Sequence, residues 1–132
     1  MSIGPVDRRR FLALGAGAAA VAVLAACSRG SSQPPVDVGA LHALYPDTDD
    51  IEKIGKYAVT VPTVGNRRAD IAAALSPTGS SAGLGRATAP ALQAHLRKSV
   101  AADFAKNRLV DVAGWQLPLT EARVAALVYL SR

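Results

Sequence analysis

The sequence predicts a small, mostly α-helical domain, an all-α fold of roughly four helices with a short β-hairpin near the C-terminus. Three observations carry this. Apolar residues recur at helical spacing through much of the chain after residue 41. Capping residues and prolines stand where such segments begin. One segment alone, "LVDVAGWQL", breaks the period and alternates around Ala113-Gly114.

The first helix follows "YPDTDD". Asp47 or Thr48 can cap it, and acids fill its first turn, where they complement the helix dipole. Ile51, Ile54 and Ala58 share a face, with Tyr57 beside them. The same acids do not form a calcium loop, because no glycine turn or twelve-residue spacing follows. "NRRADIAAAL" is a second short helix with Asn66 as its cap and Ile71 and Leu75 turned inward. Residues 76–86, "SPTGSSAGLGR", read as a loop. They lack the lysine of a phosphate-binding loop, and no strand precedes them.

"TAPALQAHLRKSVAADFAKNR" is the longest helix. Thr88 caps it, Pro90 suits its first turn, and Leu92, Leu96, Val100 and Phe104 continue one row. His95 lies at the edge of that row, far in sequence from His42, the other histidine. "LVDVAGWQL" is then a hairpin or an extended turn around Gly114, ended by Pro118. Thr120 caps the last helix, with Glu121 in its first turn and Val124, Leu127 and Val128 inward. Helices this short are marginal alone and must share a core.

The first 26 residues do not fit this domain. "DRRRFLALGAGAAAVAVLAAC" has a basic start, a Gly- and Ala-rich apolar stretch, and small residues before the single cysteine, Cys27. It packs too little for a core helix and is short of the ~20 residues of a spanning one. A basic, apolar and small-residue series is the order of a signal peptide. "RRRFL" resembles the twin-arginine export motif, with Arg8 and Arg9 as the pair, Arg10 as the variable position, then Phe11 and Leu12. Leu24, Ala25, Ala26 and Cys27 resemble a bacterial lipobox, which implies a lipid on the Cys27 thiol and a membrane anchor for the mature chain. Residues 27–40 are Ser-, Gly- and Pro-rich and read as a flexible tether, which leaves 41–132 as the folded part.

Composition limits the function. The net charge is +5, but the bases come in pairs without interleaved aromatics, the pattern of a solvated surface and not of a nucleic-acid face. A single cysteine excludes an internal disulfide. No nucleophile stands with a base, no histidine pair has metal spacing, and no cofactor fingerprint occurs. The sequence therefore predicts no enzyme, no metal and no cofactor.

The C-terminal third carries a resemblance. Asp103-Phe104, Arg108, Val110, Val112, Gly114-Trp115, Leu117 and Thr120-Glu121-Ala122-Arg123 follow in an order similar to the small subunits of membrane-bound, FAD-dependent dehydrogenases of the sorbitol and fructose type. In that pattern an Asp is more usual at the position of Ala113. The resemblance implies a non-catalytic subunit that helps a large FAD-carrying subunit to mature and be exported. The twin-arginine route carries folded cargo, which fits an escort. On that reading Trp115 and Leu117, flanked by Glu121 and Arg123, are the candidate partner interface, since Trp and Arg are frequent binding hot spots. The bland alternative for Trp115 is a core position, and for the chain a stand-alone envelope lipoprotein.

Overall fold

The computed structural model of the protein describes residues 35–46 and 49–132. Within them six helices and one hairpin follow in order: α1 Gly39–Leu44, α2 Asp49–Ala58, α3 Arg68–Leu75, α4 Ser81–Arg86, α5 Ala89–Ala105, β1 Leu109–Val112, β2 Trp115–Pro118 and α6 Leu119–Leu130. The fold is thus mostly α with a C-terminal hairpin, and it has two more helices than predicted. Arg8, Arg9, Phe11, Leu12, Leu24, Ala25, Ala26 and Cys27 lie outside the described residues, as do Asp47 and Thr48.

α6 is the central element. Its buried residues include Leu119, Ala122, Val124, Ala126, Leu127 and Val128, and it meets α2, α3, α5 and both strands. A helix apolar around most of its circumference belongs inside a fold. α2 crosses it most extensively. The crossing depends on Gly55. A Cβ there would overlap the Ala125 carbonyl and the Tyr129 Cβ. Ala58 is buried and Ile51 and Ile54 are half-buried against the core, whereas Tyr57 is exposed.

α1 straddles the expected end of the tether. Leu41 is fully buried, and Val36 and Val38 already pack against the core. The folded part therefore begins before residue 41. α4 occupies what reads as a loop. Ser80 Oγ accepts from the Gly83 N–H at 3.1 Å, and Ser76 and Thr78 join Ser80 in a chain of hydroxyl bonds. Gly83 leaves room for them, since a Cβ there would collide with Thr78 Oγ1.

Two predicted caps are corrected. α3 begins after Arg67, which makes no side-chain capping bond, and Asn66 lies one residue too early. α6 begins at Leu119, so Thr120 sits inside the first turn. Thr88 does cap α5, accepting from the Ala91 N–H at 3.3 Å.

Phe104 departs from the expected row: it is 61% exposed, while Asp103 is 2% exposed. The reason is geometric. Residues four apart drift by about 40° per step around a helix, so the row Leu92, Leu96, Val100, Phe104 winds about 120° off its starting face. Leu92 and Leu96 are buried, Val100 is half-buried and Phe104 is out. Asp103, eleven residues after Leu92, returns to within about 20° of its face.

The hairpin forms in the register Leu109↔Pro118, Val110↔Leu117, Asp111↔Gln116 and Val112↔Trp115. Ala113 (φ 52°) and Gly114 (φ 88°) make the turn. Left-handed φ at both central residues is the type I′ signature, whose twist matches that of the strands. The Gly114 N–H donates to Asp111 Oδ1 at 2.8 Å and ties the turn to β1.

Candidate partner-binding site

The motif from Asp103 to Arg123 closes on itself at a joint between α5, the hairpin and α6. α5 ends in a Schellman turn: the Arg108 N–H bonds the Asp103 carbonyl at 2.7 Å and the Asn107 N–H bonds that of Phe104 at 3.2 Å. Asn107 takes the left-handed residue of that turn, φ 52°. The turn leaves Arg108 facing the Asp103 side chain, and Arg108 Nε donates to Asp103 Oδ1 at 2.8 Å. The other carboxylate oxygen accepts the Thr120 N–H at 2.7 Å. Asp103 thus caps the first turn of α6 from another helix, where the dipole favours an anion. The Leu119 N–H to Arg108 carbonyl bond, 3.0 Å, extends the hairpin ladder into the same joint.

Burial opposes the charge on Asp103, yet the Thr120 and Arg108 hydrogen bonds and the Arg108 charge outweigh it and hold the carboxyl below its ordinary range. Arg123 lies against the same cluster. Burial lowers its pKa, Asp103 raises it and Arg108 lowers it again, and its Nε is buried without a hydrogen-bond partner.

The sequence-predicted interface residues therefore divide. Leu117 and Glu121 come together in a groove of about 350 Å³, with Tyr45, Ile51, Ile54, Val124 and Ala125. Tyr45 and Glu121 also border a neighbouring groove of about 450 Å³, whose walls include Leu96, Arg97, Val100 and Phe104. Burial, then the Glu121 charge, pushes the Tyr45 hydroxyl up. Arg123 belongs to the Asp103 joint and not to these grooves. Trp115 stands beside the hairpin turn, 70% exposed, so the core reading of this residue fails.

Sequence reasoning includes Asp103 in the motif but misses its burial and its capping of α6, and it misses Tyr45 as a wall of the groove. The tyrosine's signal was a lone aromatic before a proline. The aspartate's was a helical phase of about 20° from Leu92.

The grooves offer apolar walls with one acid, Glu121, and one base, Arg97, at their edges. That arrangement can seat apolar side chains and fix their register by charge. Among the described residues no group of three or more His, Cys, Asp and Glu is placed to hold a metal ion. Nor, among them, is any helix long and apolar enough to cross a membrane. No protein-family model matches the chain, and neither a curated protein nor a solved structure matches it.

Proposed function

We propose that this chain is a non-catalytic small subunit and export escort, anchored by lipid at Cys27, for a large FAD-dependent dehydrogenase of sugars or alcohols. The observation that carries the reading is the surface groove in which Leu117 and Glu121, both predicted as interface residues, meet Tyr45, Ile51 and Ile54. An apolar surface cleft rimmed by a charge is the form of a protein-binding site. The order of Asp103, Arg108, Gly114, Trp115, Leu117 and Thr120 supports the same reading through its resemblance to dehydrogenase small subunits. The signal-like start, Arg8-Arg9 with Phe11-Leu12, supplies an export route for folded cargo, and Leu24 to Cys27 supply the anchor.

Co-purification tests it. The full chain, solubilised from membranes, is expected to bring down a large flavin-containing protein without a signal peptide of its own. Glu121→Lys is expected to reduce the yield of that protein at least about tenfold, the loss typical of a reversed charge at an interface. A chain that purifies without any flavoprotein is a stand-alone envelope lipoprotein, and the escort reading falls.

A further inference from the structure

The two grooves share Tyr45 and Glu121, so their linings join into one surface. Along α5 this surface runs from Gln93 to Phe104, about 16 Å at the helical rise. Only two of the lining residues are charged, Arg97 on α5 and Glu121 on α6, and both are exposed. Neither belongs to an ion pair among the described residues. Asp103 and Arg108, the charges of the neighbouring joint, pair with each other and line neither groove. The joined surface thus carries one base and one acid without ion-pair partners, set among apolar walls.

Such a surface is complementary to itself. A two-fold axis makes the same patch meet on both copies. An axis normal to the surface, midway between Arg97 and Glu121, exchanges their positions, so each Glu121 falls opposite the other copy's Arg97. Any other partner must match that acid–base spacing with residues of its own, whereas a second copy matches it by symmetry. The shape agrees with the charge. Phe104 is a wall of the larger groove and yet 61% exposed, so it projects as well as lines. That groove, about 450 Å³, is larger than the cavity of about 150 Å³ that encloses a benzene ring. It has room for a phenyl ring arriving from outside.

We propose that the joined grooves dock a second copy of this chain in a two-fold dimer, in which Glu121 of each copy pairs with Arg97 of the other and Phe104 of each enters the other's groove. The inference does not rest on the escort reading, since it needs no flavoprotein. The same surface serves both, so the dimer and the escort complex exclude each other, and one copy leaves when the flavoprotein binds. Until then the dimer keeps the apolar walls from water. A closed two-fold leaves no second patch open, so assembly stops at two copies.

Analytical ultracentrifugation tests it, on the full chain carrying Cys27→Ser, which removes an acyl anchor and any disulfide between copies. A monomer–dimer equilibrium is expected between about 1 μM and about 100 μM. Glu121→Arg alone and Arg97→Glu alone are each expected to weaken self-association at least about tenfold, because like charges then oppose. An equimolar mixture of these two variants is expected to form the mixed dimer, in which both charge pairs are restored. A chain carrying both substitutions is expected to dimerise within about threefold of the unsubstituted surface. Phe104→Ala is expected to weaken the dimer with the helical content unchanged. A monomer throughout this range, assembly beyond two copies, or a dimer untouched by either reversal overturns the proposal. Failure of the mixed variants to pair overturns it too. Co-purification of a flavoprotein is read separately, so a monomer that still brings one down removes the dimer and leaves the escort reading standing.

Discussion

Asp103 shows how one side chain can join three elements. Its carboxylate accepts from Arg108 and from Thr120, while its carbonyl closes the end of α5. Hydrogen bonds to a buried charge are worth about 1.5–3 kcal/mol, so Asp103→Asn is expected to lower the unfolding free energy by about 2 kcal/mol in urea. The pH dependence has a definite sign. The folded carboxyl titrates below its ordinary range, so the unfolded chain binds its proton first on acidification. The stabilisation from Asp103 is therefore complete above the unfolded carboxyl pKa, about 3.9, and is lost as pH falls through the folded value. Acid melting of the Asn variant is expected to lack that part of the slope. Gly55 is the second decisive residue. In an exposed helix Gly→Ala stabilises by up to about 1 kcal/mol. Here Gly55→Ala is expected to destabilise by at least about 2 kcal/mol, because the methyl meets the Ala125 carbonyl across the α2–α6 crossing. Thermal melting distinguishes the two signs.

Among the elements, the hairpin carries its own strain. Ala113 holds φ 52° where Asn or Asp before Gly is favoured. Ala113→Asn is expected to raise stability by about 0.5–1 kcal/mol without changing the fold, measured by denaturant midpoint at unchanged slope. How far each element was legible depends on the range of the interactions that fix it. α5 was plain because Thr88, Pro90, Leu92 and Leu96 are local signals, and the hairpin because alternation and Ala113-Gly114 are local too. α4 was hidden because Ser and Gly usually mark loops, and the cap at Ser80 with the hydroxyl chain from Ser76 is recognisable only once Gly83 is seen packed against Thr78. At the start of α6 the sequence points to Thr120 as the cap, because a threonine before a glutamate imitates a capping pair. The true cap, Asp103, lies seventeen residues away, beyond any local pattern. Of the groove, Leu117 and Glu121 are legible as neighbours on consecutive elements. Tyr45 reached them only through the placing of α1, and Arg123 turned instead to the joint.

For the whole molecule, α6 organises the core, and its residues Glu121, Val124 and Ala125 also line the groove proposed for partner binding. The grooves run beside Tyr45 and Glu121, and the hairpin tip projects Trp115. A surface aromatic can be removed with a stability change within about 0.5 kcal/mol, so Trp115→Ala separates binding from folding. Cell fractionation reads the proposed escort role. Flavin-dependent sugar or alcohol dehydrogenase activity is measured in the envelope of cells with the wild-type chain, without the chain, and with Arg8→Lys plus Arg9→Lys. Envelope activity is expected with the wild type and is expected to be lost in both other strains, with the flavoprotein retained inside the cell. Envelope activity that stays unchanged without this chain would contradict it.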